Sequence, residues 1–380
     1  MNNTKKNKTA LRVVLVHPSI NTRTGGIVKA GLSYIEGLIK LGHEVIVWTP
    51  STIFSKGAEQ LGAKVNFDPR LTSVLSILTK PSLLFRLRRD FRSSDAIIHN
   101  NGRLWPIGYI DRKSNHFVVF HNRSIGSRGY FPNWLPISDA QFRILNEASK
   151  TKHWLKSIHR IKNGIATHAW DPLPQMGRTN ATPIIGFLAE IRPQKGLDVL
   201  IDAAAILKSR GVKFLLRIGG DGNDVELYRN RTIRLDLQTN IEWAGWINSP
   251  NDFFDNLNVF CLPSRREGFP LVLLEAMARK IPVVATRIDG STELVEASNG
   301  GILFDIDDSE ALADTLQNLL GDRGLQTKLG SDGFAYVHNN FKPVHIGQMI
   351  EAAIIEEKNN KTMWRDRTDI CASSLKLPSE

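Results

Sequence analysis

Cysteine is scarce in this 380-residue sequence: Cys261 and Cys371 are the only two, too few for a disulfide framework or a cysteine-based metal cluster. Long apolar runs are missing as well. No stretch approaches the roughly 18 apolar residues of a bilayer-spanning helix. The polar, basic start MNNTKKNKTA is not followed by the apolar core of a signal peptide. The run Leu11–Val16 is interrupted by Arg12 and ends at His17-Pro18, which reads as a first strand. A cytoplasmic protein with reduced thiols is therefore expected, and nothing bars it from lying on a membrane surface. Internal repeats are absent, and no zinc, RRM or helix-turn-helix signature is present. Acidic residues are scarce in one half only. Residues 1–165 hold 26 Lys+Arg against 9 Asp+Glu, and residues 166–380 hold 23 against 29. The net charge of +11 therefore hides a basic half, suited to an anionic partner, and an acidic one.

With 42% hydrophobic and 23% charged residues, the chain has the composition of a packed protein, and its length suits two or three domains of about 150 residues each. Short β-branched runs alternate with helical patterns throughout. Strands are expected at Arg12–Val16, Glu44–Trp48, Ala96–His99 and Phe117–His121 in the first half. In the second half they are expected at Pro183–Leu188, Lys213–Ile218, Ile241–Gly245, Val259–Pro263, Pro282–Thr286 and Gly301–Phe304. Helices are expected at Val28–Leu41, Leu197–Ser209, Pro270–Arg279 and Glu310–Leu320, with Gly42 and Gly211 as stops for the first two. This alternation predicts an α/β protein with parallel sheets covered on both faces. A basic leader over 1–10 precedes a Rossmann-like domain over 11–166. The proline-bearing stretch 167–182 is the expected linker, followed by a second Rossmann-like domain over 183–340 and a helix and tail over 341–380. Two such domains would bind ligands in a cleft at the carboxyl ends of their strands.

The strongest chemical signal is Glu267-Gly268-Phe269-Pro270-Leu271-Val272-Leu273-Leu274-Glu275. Its carboxylates flank a strand-to-helix turn. Pro270 suits a first helical position, and the N–H groups after it would face a phosphate. Glu267 can accept hydrogen bonds from sugar hydroxyls, and Glu275 can reach a ribose diol. Alone, the motif reads equally as a capped helix with solvated acids. Upstream, Arg192 and Lys195 lie three apart just before a helix, a clamp for pyrophosphate or two surface cations. Gly219-Gly220-Asp221-Gly222 is a turn that allows close backbone approach. Asp289-Gly290-Ser291-Thr292-Glu293 opens another helix, which Ser291 could cap.

In this order and spacing, these elements resemble the family-4 retaining glycosyltransferases of the GT-B fold. The resemblance runs over nearly the whole chain and is tight from about Ile184 to Phe304; Ser264, three residues before Glu267, and Asn163-Gly164 add to it. It implies two Rossmann-like domains facing across a cleft, with C-terminal helices packing back on the N-terminal domain. It implies that Arg192 and Lys195 bind the donor pyrophosphate and stabilise the departing nucleotide. Glu267 would hold the transferred sugar, close to the Gly268-Phe269-Pro270-Leu271 backbone, with Gly220 beside the donor and Glu275 on the ribose. Gly25-Gly26 matches the family's glycine turn. It is not a G-x-G-x-x-G dinucleotide fingerprint. His121 falls where the family places a histidine near the donor sugar, the alternative being a buried structural histidine. The donor implied is a UDP-sugar, with GDP-mannose as competitor; no cofactor and no metal are implied. Asp305-Ile306-Asp307 spells D-x-D but follows the last strand of its domain, as loop and cap acids would. The remaining alternatives are a nucleotide-sugar epimerase of the same fold and a basic nucleic-acid binder. An epimerase would not be expected to show the Glu267–Glu275 constellation, and a nucleic-acid binder would leave the acidic half unexplained, so no nucleic-acid partner is expected.

The basic half points to the acceptor, a glycan or lipid-linked molecule of lipopolysaccharide or surface polysaccharide assembly. Over residues 80–94, Leu83, Leu84, Leu87 and Phe91 share a helix face beside Arg86, Arg88, Arg89 and Arg92. That pattern fits either an anionic membrane surface or an ordinary packed helix. Arg123 and Arg128, in a loop after His121, are candidates for an acidic acceptor, or solvated cations.

Overall fold

The computed structural model describes residues 9–20, 25–72, 77, 79–100, 114–121, 131–152, 155–165, 182–247 and 253–373, the stretch 361–373 as helical backbone. Arg123 and Arg128 lie outside the described residues, as does nearly all of the expected linker. The chain forms two compact units. The first comprises Met1–Ile137, Gln141–Gly164 and Pro343–Glu380, and the second Ser138–Ala140 and Ile165–Lys342.

The first unit carries strands β1 (Arg12–Val16), β2 (Glu44–Thr49), β3 (Lys64–Phe67), β4 (Ala96–His99), β5 (His116–Phe120), β6 (Asn133–Pro136) and β7 (Ser157–Ile158). They pair in the order β3-β2-β1-β4-β5-β6-β7, each pair parallel. Helices α1 (Gly26–Lys40), α2 (Thr52–Gln60) and α3 (Pro81–Arg92) cover it, and α4 (Asp139–Ser149) follows β6. The strands read as continuous apolar runs because both faces are buried: Val13, Val14, Leu15 and Val16 are all 0% exposed. β3, β6 and β7 were not expected. Lys64–Phe67 is a half-exposed edge strand without an apolar run, and β7 has only two residues. His121 falls one residue past β5 rather than in it.

The second unit carries β8 (Ile184–Leu188), β9 (Leu215–Gly219), β10 (Ile241–Gly245), β11 (Val259–Leu262), β12 (Val283–Thr286) and β13 (Gly301–Phe304), in the order β10-β9-β8-β11-β12-β13, again all parallel. Its helices are α5 (Leu197–Ser209), α6 (Val225–Arg234), α7 (Leu271–Met277), α8 (Asp289–Ser298), α9 (Ser309–Gly321) and α10 (Arg323–Asn340). These are two Rossmann-like α/β sheets. In each, strand order reverses at one point, between β1 and β4 and between β8 and β11. Ligands of such sheets bind outside the carboxyl ends of the strands at that point.

The last helix, α11 (Pro343–Ser373), belongs to the first unit and packs on α1. It runs past Thr362, where the sequence pattern fades. Glycine makes the crossing possible. A Cβ on Gly37 would lie 2.0 Å from the Pro343 carbonyl oxygen, and one on Gly347 would lie 2.5 Å from the Gly37 carbonyl carbon. Lys358 pairs with Asp95 at 2.6 Å and Glu357 with His159 at 3.1 Å. Among the described residues, no helix is long and apolar enough to cross a membrane.

Helix α3 answers the amphipathic question differently from the sequence pattern. Leu83, Leu87 and Phe91 are buried with Val14, Val16, Ile46, Trp48 and Ile97 in the unit's own core, and Asp90 accepts the Trp48 indole N–H at 3.1 Å. The apolar face is therefore consumed by folding. Phe85, 70% exposed, and the arginines remain outside.

Candidate functional site

Polar side chains collect at both reversal points. In the second unit, the loop after β8 carries Arg192 and Lys195, and the loop after the adjacent β11 carries Ser264 and Glu267. Lys195 Nζ lies 2.6 Å from Glu267 Oε1, and Ser264 Oγ donates to the same oxygen at 2.8 Å. The Lys195 and Glu267 side chains are only 21% and 11% exposed, so water screens the pair less than a surface ion pair. Arg192 does not join them; it turns to Glu190.

Backbone fit brings these loops together. Gly196 has φ +67°, and a Cβ there would lie 1.9 Å from the Pro263 carbonyl oxygen, so only glycine lets the two loops touch. A second brace is Arg265. Its guanidinium holds Asp198, on α5, through Nη1 at 3.0 Å and Nη2 at 2.7 Å, and Asp307 through Nε at 2.7 Å. Its N–H donates to Gln194 O at 2.9 Å. Asp307 is thereby occupied by an arginine, and Asp305 faces Arg287 at 3.6 Å. Among the described residues, no group of three His, Cys, Asp or Glu side chains is placed to hold a metal ion.

Several expectations change here. Pro270 is not the first helical residue but the N-cap of α7, with extended backbone. α7 has seven residues, and one of its early N–H groups, that of Leu273, already bonds to Pro270 O at 3.1 Å. The Phe269 ring stacks on Phe341, centroids 5.8 Å apart, so only its backbone is left for a ligand. Glu275 sits inside α7 and is 5% exposed; Arg279 donates to its carbonyl oxygen at 2.8 Å and lies over the Phe254 ring. Gly220 packs on the β8 loop: a Cβ there would meet the Ala189 carbonyl oxygen at 1.8 Å. Ser291 does not cap α8. Ile288 holds that position, and the Ser291 hydroxyl is buried within the first turn. Gly290 abuts Gly268, and Glu293 accepts the Asp139 N–H at 2.7 Å.

In the first unit, three residues follow three neighbouring strands directly: His17 after β1, Asn100 after β4 and His121 after β5. Asn100, 0% exposed, joins the other two. Its Nδ2 lies 2.9 Å from His17 Nδ1 and donates to Ile27 O, in the first turn of α1, at 3.1 Å. Its Oδ1 lies 3.1 Å from His121 Nε2. Gly25 is the extended N-cap and Gly26 the first residue of α1, beside this cluster. His17 stacks on Phe54, ring centroids 4.0 Å apart. Burial depresses both imidazoles, His17 to about 3, with a further push from His121, and His121 to about 4. Both rings are therefore neutral at pH 7.

His17, Asn100, Arg265 and Asp198 were not read from the sequence. For the first two a signal existed, since each is a polar residue directly after a short, mostly apolar strand. Nothing local marks the pairing of Arg265 with Asp198, 67 residues apart.

Residues 174–335 match the family model of glycosyl transferases group 1. The chain is 29% identical over 170 residues to the capsular polysaccharide biosynthesis glycosyltransferase CapM of Staphylococcus aureus, covering 44% of this chain and 45% of that protein. It is 34% identical over 222 residues to the putative colanic acid biosynthesis glycosyltransferase WcaL of Escherichia coli, covering 52% and 53%. The chain thus spans about half the length of these curated relatives. Its fold is similar to HepE of Anabaena, solved with UDP and glucose, at a TM-score of 0.74 and 19% identity over 90% of this chain and 99% of that one.

Proposed function

We propose, from the premise that residues 174–335 form a glycosyl transferases group 1 domain in a chain of GT-B fold, that the protein moves a sugar from a nucleotide-sugar donor to a glycan or lipid-linked acceptor, with retention of anomeric configuration. The observation that carries this reading is the Lys195–Glu267–Ser264 cluster at the β8/β11 reversal point. Cleaving a sugar–phosphate bond leaves an anionic nucleotide diphosphate and an oxocarbenium-like sugar. Lys195 and Arg192 oppose the first charge where water is scarce, and Glu267 accepts hydrogen bonds from hydroxyls of the second. Acceptor attack comes from the face the diphosphate leaves, and the departing phosphate oxygen takes the acceptor proton. Glu267 and Glu275 bind and are not nucleophiles, unlike the paired acids of retaining hydrolases. Glu275 is assigned to the ribose.

HepE, solved with UDP and glucose, supports a UDP-sugar, with GDP-mannose as competitor. CapM and WcaL, named for capsular polysaccharide and colanic acid, support an acceptor in surface polysaccharide or lipopolysaccharide assembly, made on the cytoplasmic side of the membrane. A metal is not required in this reading, since the D-x-D acids are held by Arg265 and Arg287. The test is a screen of UDP- and GDP-sugars by thermal shift and by donor hydrolysis, with and without EDTA and lipid extract. One donor is expected to stabilise the protein and to turn over in EDTA. In Glu267→Ala, turnover falls by about 10²–10³-fold while the nucleoside diphosphate still binds. Full activity of that variant would remove the donor-site assignment.

A further inference from the structure

Asn100 has no part in the reading above, yet its side chain is fully buried at the β1/β4 reversal point and engages both histidines there. The amide orientation is fixed by its neighbours. The Ile27 carbonyl oxygen can only accept, so the atom 3.1 Å from it is Nδ2. The other proton of Nδ2 points at His17 Nδ1, which must accept. Oδ1 is left to His121 Nε2, which must donate. Reversing the amide would set two oxygens against each other at Ile27. Asn100 is closely packed at that end: a Cβ on Gly31 would lie 2.4 Å from Nδ2.

The geometry points to Asn100 as a positioning residue that locks His121 as the Nε2–H tautomer, with Nδ1 the nitrogen presented to substrate as a hydrogen-bond acceptor. His17 is locked as the Nε2–H tautomer by the same amide. A ring held in this way accepts a hydrogen bond from a sugar hydroxyl through Nδ1 and so fixes that hydroxyl; it does not supply a proton to the leaving group. The inference rests on the proposed sugar-transfer reaction for its purpose but not for its test.

The test is nitrogen-15 NMR of the histidine-labelled full-length protein, with His17 and His121 assigned by substitution. At pH 7 both rings are expected to be neutral with the proton on Nε2, before any donor is added. A His121 ring protonated on Nδ1, or on both nitrogens, overturns the proposal, whatever the enzymatic activity. Asn100→Asp removes the Nδ2 donor and keeps an acceptor for His121. The expected signature is His17 leaving its tautomer while His121 keeps Nε2–H. Asn100→Leu removes both partners, and the His121 signal is then expected to divide between tautomers. In that variant kcat falls by about tenfold or more while the donor KM changes little, the loss expected of one hydrogen bond. Retention of a single Nε2–H tautomer at His121 in folded Asn100→Leu protein also overturns it. Failure of every nucleotide sugar to bind would instead sink the proposed function and leave the tautomer result standing.

Discussion

Lys195 and Glu267 neutralise each other through a single carboxylate oxygen, to which Ser264 also donates. In the proposed reaction a nucleotide diphosphate would compete with Glu267 for Lys195, linking phosphate capture to release of the carboxylate proposed to bind the sugar. His17 and His121 give a test that needs no substrate. Both have folded pKa values, about 3 and about 4, below the usual 6.5. The unfolded chain therefore binds more protons than the folded one between those values and 6.5. Their contribution to stability is complete above about pH 6.5 and is lost as pH falls towards 4 and then 3. Tm measured by calorimetry should decline over that window, and His17→Phe, which keeps the stack on Phe54, should flatten its acid end. An unchanged slope would show that His17 does not contribute to the decline.

At the scale of elements, the loops after β8 and β11 act as one body because Gly196 lets them touch and Arg265 ties both to α5 and to the β13 loop. Hydrogen bonds to charged groups contribute about 1.5–3 kcal/mol, so Arg265→Ala should lower stability by about that much in denaturant titrations. It should also weaken donor binding more than Arg265→Lys does. Equal donor affinity in the two variants would reduce Arg265 to a brace without influence on Lys195. The strands here were readable because burial on both faces writes an apolar run into the sequence, as in RVVLV and VVAT. Edge strand β3 and two-residue β7 lack that imprint. The start of α7 was misplaced by one residue because Pro270 fits both the N-cap and the first helical position.

For the whole molecule, the charge asymmetry acquires a location. With Leu83, Leu87 and Phe91 committed to the core, α3 has no apolar face to insert in lipid. What faces solvent is Phe85 among Arg86, Arg88, Arg89 and Arg92. Association with anionic lipid would then be chiefly electrostatic and salt-sensitive. Phosphatidylglycerol vesicles should sediment the protein at low salt and release it near 1 M, where the Debye length is about 3 Å. Replacing Arg88, Arg89 and Arg92 by Ser should abolish the effect. No sedimentation at low salt would leave the basic surplus to a soluble anionic acceptor.

The sequence by itself determined the class of fold and the boundaries of most strands. Both rest on local pattern: apolar runs and glycine stops. Only the tertiary structure decided which polar groups meet. Strand order is not written in any local window, yet it is what sets β1 beside β4 and β8 beside β11. That adjacency brings Asn100 to His17, 83 residues away, and Lys195 to Glu267, 72 residues away. It also turned the leucine face of α3 inward, because Trp48 and its neighbours offered that face a core to fill.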